Sequence, residues 1–553
     1  MRTVIVGGVA GGMSAATRLR RLDENAEIVV LERGEHVSFA NCGLPYHVGG
    51  VIPERSSLLL HSPASLAARF RIDARTGHEA VAIDPAARTV RVRRPDGSEV
   101  DEPYDHLILA PGAETDPGLP GDDSVPVHAL RSIADLDAIM AALANVPADR
   151  PARAVVAGGG FIGLEAVENL RARGADTWLV QSGTQLLGPL DPEMAVPVYR
   201  TVVDAGVEVR LGRRIARIEE GAAVLDDGEH LPVDLVLHAA GVRPATALAR
   251  SAGITLGPTG GIAVDEAQRT NIPNIYAVGD AVEKIDAISG EPVLSTLAGP
   301  ANRHGRAAAN AIAGRPGRAR PSLGTAIIGV FGLTAAVTGW NEKSLRRAGR
   351  AYQAVHTHPI NHAGYYPGAE GLSIKLLLDP ETRAILGAQV IGGAGVDKRI
   401  DVIATAMRAG LDADELGELE LAYAPQYGSA KDPVNLVGHV AGNILDGLIR
   451  TIQWHELDAA VAAGAVLLDV RTPGEHDRGA PTDSINIPLD ELRERHGELP
   501  PGPVIVHCQV GQRGHTAARL LEQLGHETLN LDGGYRTWAD GRAAEKLVTE
   551  ATA

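Results

Sequence analysis

The chain of 553 residues holds only two cysteines, and each lies in a loop pattern suited to sulfur chemistry. Cys42 falls in Ser38-Phe39-Ala40-Asn41-Cys42-Gly43-Leu44-Pro45-Tyr46-His47-Val48-Gly49-Gly50, after a strand-like run that ends in Glu32 and Arg33. Small neighbours, with Gly43 and Pro45 just beyond, allow a turn that leaves the sulfur uncovered. A thiol at the start of a helix, near unsatisfied backbone N–H groups, is expected to favour its thiolate and act as a nucleophile. Cys508 falls in Val504-Ile505-Val506-His507-Cys508-Gln509-Val510-Gly511-Gln512-Arg513-Gly514, a strand, a loop and a helix start. Backbone N–H groups of such a loop converge on the sulfur as an anion nest. His-Cys phosphatase loops place five residues between Cys and Arg. Here four intervene, and the smaller ring suits a persulfide, stabilised by Arg513 and the loop amides much as an oxyanion hole stabilises its anion. Cysteine is commonly a small buried hydrophobe, but core filling does not account for two such placements.

The elements that must carry these loops are nucleotide-binding units. Arg2 to Val6 reads as a strand, Gly7-Gly8-Val9-Ala10-Gly11-Gly12 as a turn and Met13 to Leu22 as a helix, with Glu32 closing the next strand about 25 residues after Gly7. This is the βαβ dinucleotide fingerprint: glycines let the backbone approach a pyrophosphate at a helix N-terminus, and the acid takes ribose hydroxyls. Val9 stands where the middle glycine belongs. A second fingerprint is complete: strand Ala154 to Ala157, Gly158-Gly159-Gly160-Phe161-Ile162-Gly163, then a helix from Leu164 to Arg173 carrying Glu165. Gln181 follows the next strand, and no Arg comes immediately after it, so NADH and NADPH both remain open. Two dinucleotide sites in one chain imply electron transfer between two such cofactors. On the first helix Arg18 and Arg21 share a face beside Arg20. They read either as cations complementing the helix C-terminus or as a phosphate-binding patch near Cys42.

Composition bounds the rest. Hydrophobic residues make up 44% and charged residues 22%, values of a soluble globular protein. A formal charge of −17 argues against nucleic acid as a main partner while allowing an anionic small molecule on a local basic patch. Scarce cysteine fits a reducing compartment. The chain runs at once into a strand, leaving no room for a signal peptide, and no run approaches the ~18 apolar residues of a membrane span. The expected location is cytoplasmic, with no membrane partner. No metal-ligand set is expected.

Further motifs carry a family resemblance. Asn271-Ile272-Pro273-Asn274-Ile275-Tyr276-Ala277-Val278-Gly279-Asp280 resembles the second FAD motif of two-dinucleotide flavoprotein reductases. The resemblance implies that Asp280 holds a ribityl hydroxyl and that the helix opening at Leu297-Ala298-Gly299-Pro300 favours negative charge on reduced flavin. By the same resemblance Gly7, Gly8, Gly11, Gly12, Glu32, Arg33, Asp280 and Ala298 hold FAD. Gly158, Gly160, Gly163 and Glu165 serve NADH or NADPH. Segments including His362-Ala363-Gly364-Tyr365-Tyr366-Pro367-Gly368 and Ala422-Tyr423-Ala424-Pro425-Gln426-Tyr427 resemble the dimerisation domain of the coenzyme A disulfide reductase branch. Aromatics are 3% of the chain, so five tyrosines between Tyr352 and Tyr427 form a cluster that core or interface packing explains for the most part. The resemblance implies that Tyr365 and Tyr423 reach across a homodimer toward the partner's active cysteine. It also implies that Ser14, Arg18, Arg21, Ser38 and Asn41 bind coenzyme A. Glutathione-reductase-like enzymes pair two cysteines separated by four residues, and His47 stands at the second position here. A lone Cys42 must therefore form a mixed disulfide, persulfide or sulfenic acid with an external group.

The C-terminal stretch resembles a single rhodanese domain. Its landmarks are the strand Val466 to Arg471, Ile485-Asn486-Ile487-Pro488, the Cys508 loop, Asp532-Gly533-Gly534 and Trp538. Gly479-Ala480-Pro481 replaces the usual Gly-His-Ile approach.

The expected fold class is α/β: two Rossmann-like dinucleotide-binding domains, an α+β dimerisation domain and a rhodanese α/β domain. The FAD-binding domain is expected over 1–115 and 242–323, the NAD(P)-binding domain over 116–241 and the dimerisation domain over 324–447. A linker over 448–454 and the rhodanese domain over 455–553 complete the order. The resemblance implies an FAD-dependent NAD(P)H reductase of coenzyme A persulfide, polysulfide or coenzyme A disulfide, with Cys42 and Cys508 as the sulfur-bearing residues and coenzyme A as bound substrate or adduct. An NADH oxidase cycling a Cys42 sulfenic acid, and a redox or sulfur sensor with little turnover, are the alternatives.

Overall fold

A computed structural model describes residues 1–115 and 119–552, and the expected domain boundary at 116 lies outside them. The chain divides into two compact units: Met1–Val180 with 207–209 and 213–324, and Gln181–Gly206 with 210–212 and the chain from 325 onward.

The first unit is built on parallel sheets. The strands Ile275–Ala277, His106–Leu109, Arg2–Val6, Glu27–Glu32 and Ile72–Thr76 lie side by side in that order. Val4 pairs with Val29 on one side and Leu107 on the other. These strands are continuous apolar runs because a parallel sheet is covered on both faces. A second parallel sheet contains Asp176–Gln181, Arg153–Ala157, Leu235–His238 and Val127–His128 in sequence across it. Between these sheets' strands in sequence, Glu79–Asp84, Thr89–Arg93 and Glu99–Pro103 form a three-stranded antiparallel sheet.

Both fingerprint helices begin earlier than the residue pattern predicts, at Ala10 and Phe161. The reason is backbone contact. A Cβ on Gly12 would fall 1.9 Å from the Gly7 carbonyl oxygen, and one on Gly163 would fall 1.8 Å from that of Gly158. These glycines are helical residues that let the first turn touch the preceding strand end. Gly7 and Gly158 themselves have φ of +102° and +110°, which disfavours a side chain.

In the second unit the strands Ala326–Val330, Leu333–Gly339, Ile385–Gly392, Leu372–Leu378 and Gln353–Thr357 form an antiparallel sheet in that order. Helices Val396–Ala409 and Pro433–Leu445 pack a shared core with it, including Ile374, Leu376, Val390, Ile400 and Val437. A parallel sheet follows, ordered Thr451–Ile452, Thr528–Leu531, Val504–His507, Val466–Asp469 and Ile485–Asn486. Residues 448–454 are therefore not a free connector. Thr451 and Ile452 pair with Asn530 and Leu531, Ile449 and Ile452 are buried, and the Trp454 ring lies against Gly541. The segment reads as a linker in the sequence, and its two isoleucines find a core only in the folded sheet.

Lys375 lies on a fully buried strand and has no solvent exposure. Its Nζ reaches Glu193 at 2.5 Å, Asp191 at 2.9 Å and Glu342 at 3.0 Å. His356, on the neighbouring strand, places Nε2 3.1 Å from Glu193 and Nδ1 2.7 Å from Asp532. Burial opposes a charge on His356, but Asp532 and Glu193 outweigh it and hold its pKa up to about 9. The network thus ties the Pro192–Asp204 helix, the antiparallel sheet and the turn after Thr528–Leu531 together.

Removing one partner from such a buried cluster strands the others, at a cost of about 3–5 kcal/mol. Lys375→Met is expected to lower the thermal midpoint of the second unit sharply, and an unchanged midpoint would show that the network contributes nothing net. His356 carries a raised folded pKa, so its contribution is complete below the ordinary histidine pKa of about 6.5 and is lost as pH rises through about 9. The stability gap between wild type and His356→Gln should therefore narrow across that window.

Candidate functional site

The turn after Arg2–Val6 opens on a cavity of about 1260 Å³ lined by Gly7, Gly8, Gly11, Glu32, Arg33, Asn41 and Asp280. Gly12 and Ala298 do not line it; Gly12 packs on Gly7, and Ala301 stands on the wall one turn beyond Ala298. Glu32 accepts from the Gly8 and Gly34 N–H groups, both at 2.8 Å, which fixes its carboxylate at the cavity. Burial raises the Asp280 pKa while Lys284 and Arg131 oppose the rise. A cavity of this volume whose wall carries glycines, the Glu32 and Asp280 carboxylates and the Arg33 and Arg131 guanidiniums fits a dinucleotide such as FAD. Arg131 was not singled out by sequence reasoning. The available signal was the capping box that follows it, Ser132 with Asp135, which starts the helix Ile133–Ala144.

At the second fingerprint, a Cβ on Gly158 would meet the Ala239 carbonyl oxygen at 2.5 Å, whereas nothing lies within 4 Å of one on Gly160. The open space at Gly160 is where a pyrophosphate could approach the start of the Phe161–Ala172 helix. Glu165, on that helix, accepts from the Tyr46 hydroxyl at 3.1 Å and so sits near Cys42. Tyr46 is pushed up to about 12 by burial and by Glu165.

Cys42 is exposed, with its thiol 3.8 Å from the Asn41 Oδ1. Its pKa is raised, first by desolvation and then by Glu165 and Asp280. The expected favouring of the thiolate is corrected here. Cys42 lies in the short turn Asn41–Gly43, and the helix beyond spans only Leu44–Val48, too little to outweigh two carboxylates. His47, at the place of a second cysteine, donates from Nδ1 to the Ile52 carbonyl at 2.7 Å. Ser38 adopts φ of +52° and donates its N–H to the Gly8 carbonyl at 2.7 Å, joining the cysteine loop to the glycine turn.

On the first helix Ser14 donates to Asn302, and Arg18 donates to Asn310 at 2.9 Å. Desolvation and the neighbouring Arg306, Arg315 and Arg21 draw the Arg18 pKa down, which marks a cluster of cations. Arg306 and Arg315 come from a distant stretch of chain, and sequence spacing does not reveal them. Arg21 lies over the Phe70 ring at 5.8 Å. Arg20 is structural, donating to the carbonyls of Phe70, Asp23, Glu24 and Arg71.

In the second unit Tyr365 is 77% exposed and Tyr423 49%, and their hydroxyls stand 3.1 Å apart. Tyr366 and Tyr427 are exposed as well, so packing within the unit does not account for most of the cluster.

Cys508 lies at the buried end of its strand. Gly511 takes φ of +88° ahead of the helix Gln512–Gln523, whose first turn carries Arg513. From behind, the Tyr535 N–H donates to the Cys508 carbonyl at 2.7 Å and the Arg536 N–H to that of Gln509 at 3.0 Å. Glycine is required at 534, where a Cβ would fall 2.5 Å from the Cys508 oxygen. Arg513 makes a two-point ion pair with Glu475, at 2.8 and 2.6 Å. Arg471 pairs with buried Asp469 at 2.7 Å, donates to the Gln509 Oε1 at 3.2 Å and lies 4.4 Å from the Tyr535 ring centre. His507 is fully buried, and burial lowers its pKa to about 4. Asp469 and Arg471 read in the sequence only as the end of a strand and Glu475 was not singled out, although Thr472-Pro473-Gly474-Glu475 is a legible capping box.

Three family models match: pyridine nucleotide-disulphide oxidoreductase over residues 1–305, the dimerisation domain of the same group over 325–432, and a rhodanese-like domain over 453–540. A coenzyme A disulfide reductase of Staphylococcus haemolyticus is 34% identical over 445 residues, covering 80% of this chain and 100% of that protein. The reduced Bacillus anthracis protein CoADR-RHD is 44% identical with a TM-score of 0.95, covering 100% of this chain and 98% of that one. A NAD-dependent persulfide reductase from A. fulgidus is 36% identical with a TM-score of 0.91, covering 97% and 100% of the two chains. With the glycine turns, the two cysteine loops and these matches in agreement, the chain belongs to the pyridine nucleotide-disulphide oxidoreductase family and carries a C-terminal rhodanese-like domain.

Proposed function

We propose that this protein is an FAD-dependent NAD(P)H reductase of coenzyme A persulfide, polysulfide or coenzyme A disulfide, supplied with sulfane sulfur by its own rhodanese domain. The observation that carries the reading is the pair of free cysteines in separate sites, one exposed next to Asn41 of the glycine-lined cavity and one buried in a loop that turns at Gly511. The relatives named as coenzyme A disulfide and persulfide reductases support it. For the persulfide, NAD(P)H, a proton and CoA–S–SH yield NAD(P)⁺, CoA–SH and H₂S. Bound flavin supplies the two-electron relay between nicotinamide and sulfur.

Gly7, Gly8, Gly11, Glu32, Arg33, Arg131 and Asp280 would hold the flavin dinucleotide, and Gly158, Gly160 and Gly163 the nicotinamide one. Arg18, Arg21, Arg306 and Arg315 would bind the phosphates of coenzyme A, with Ser14, Ser38 and Asn41 placing its thiol end at Cys42. Cys42 attacks the sulfur substrate, forming a mixed disulfide or persulfide that is then reduced. Tyr365 and Tyr423, presented by the partner of a homodimer, would donate protons to the departing thiol. The domain limits are those read from the sequence, with 448–454 joined to the rhodanese sheet. A reducing cytoplasm is the compartment in which two unpaired thiols persist.

A Cys42→Ser protein should still lose its visible flavin absorbance on addition of NADH yet release sulfide about a thousandfold more slowly or worse under argon. Unchanged turnover would remove Cys42 from the mechanism, and turnover requiring oxygen would favour the oxidase instead. The raised Cys42 pKa sets a second expectation. Alkylation of Cys42 by iodoacetamide should rise with pH to a midpoint above the ordinary cysteine value of about 8.5. Glu165→Gln removes a neighbouring negative charge, so it should move that midpoint down.

A further inference from the structure

The ion pairs around Cys508 bear on which sulfur donor the loop accepts. Two guanidiniums reach this loop, and each is matched by a carboxylate. Arg471 donates to Asp469 through Nε and Nη2 while its Nη1 braces Gln509. Arg513 donates to both oxygens of Glu475. The intervening side chains Gln509, Val510 and Gln512 carry no charge. Glu475 is locked in place, since its Oε2 also accepts from the Thr472 N–H and hydroxyl, both at 3.0 Å. Arg513 and these bonds lower its pKa to about 2, so it stays ionised at neutral pH. The Cys508 mouth is therefore close to electrically neutral before any ligand enters.

We infer that Glu475 is a specificity-determining residue: by cancelling the charge of Arg513 it turns the Cys508 loop away from dianionic thiosulfate and toward thiol persulfides. This rests on the reading above that Cys508 loads sulfane sulfur. A charge interaction scales with the charge brought to the site, so a fixed carboxylate costs a dianion twice what it costs a monoanion. It little affects the protonated –S–SH end of a thiol persulfide, since the phosphates of coenzyme A lie at the far end of that molecule. With a persulfide donor, the Cys508 thiolate attacks the terminal sulfur of R–S–SH. The donor S–S bond breaks, the Cys508 Sγ–S bond forms, R–SH leaves with the proton, and the enzyme holds Cys–S–S⁻ with no net oxidation. With thiosulfate, Cys–SH and S₂O₃²⁻ give Cys–S–S⁻ and HSO₃⁻, and the site must first admit two negative charges.

The test uses flavin-loaded full-length enzyme, wild type and Glu475→Gln, loaded with thiosulfate or with coenzyme A persulfide. Sulfur on Cys508 is read by intact mass and by cyanolysis. Glu475→Gln keeps an acceptor for Arg513 and removes the charge. It should raise the kcat/KM for thiosulfate about tenfold at low salt and change that for coenzyme A persulfide less than threefold. The difference should shrink at high salt. A donor ratio equal to that of wild type, or a parallel fall with both donors, would overturn the inference and leave Glu475 a structural brace. Wild type supplies an independent arm should the variant not fold: its thiosulfate loading should not fall as KCl is raised, and a steep fall would reveal an unneutralised cationic mouth. Failure of both donors to load Cys508 would instead defeat the sulfur-loading reading itself.

Discussion

A lysine with no access to water sits among three carboxylates, and the second unit is arranged so that this is tolerable. Lys375 projects from a strand buried along its whole length, so its charge has to be met by Asp191, Glu193 and Glu342. Those acids come from the Pro192–Asp204 helix and the Glu342–Arg347 helix, and Glu193 passes the constraint on to His356. His356 in turn grips Asp532, immediately before the two glycines that back the Cys508 loop. In a low-dielectric interior an unmatched charge is so costly that each partner fixes the next. The rear wall of the sulfur-bearing loop is thus anchored by electrostatics that begin on a neighbouring sheet.

The two thiols are handled in opposite ways. Cys42 is exposed at the surface of its loop, and partial desolvation, then Glu165 and Asp280, hold its proton on. Cys508 is buried at the base of a loop in which the Cys508 and Gln509 carbonyls are held by the Tyr535 and Arg536 N–H groups. Its neighbouring guanidiniums Arg513 and Arg471 are each paired with a carboxylate.

Glycine placement gives the nucleotide units their form. Gly12 and Gly163 let a helix rest on the turn before it, and Gly305 lets a second helix approach the first, since a Cβ there would lie 2.2 Å from the Gly11 oxygen. Only Gly160 among these faces open space. Apparently equivalent glycines therefore do different work: Gly12, Gly163 and Gly305 permit packing, whereas Gly160 and the cavity-lining Gly7, Gly8 and Gly11 leave backbone within reach of a ligand.

Much of this was legible in the residues. Continuous apolar strands, glycine turns and acids at fixed spacing define nucleotide-binding units because backbone contact and helix-end electrostatics depend on local sequence. The cysteine loops were readable for the same reason. What only the tertiary structure decided depends on chains meeting at a distance. Arg306 and Arg315 join Arg18, Glu165 reaches Tyr46 beside Cys42, and Glu475 occupies Arg513. The thiolate expected at Cys42 is opposed by one carboxylate from another helix and one from another loop. The segment 448–454 read as a connector because its partner strand lies at Thr528–Leu531. Local pattern specifies which elements form and which groups could react; the charges and surfaces that set their reactivity are assembled by folding, because Coulomb forces and burial follow distance in space and not position along the chain.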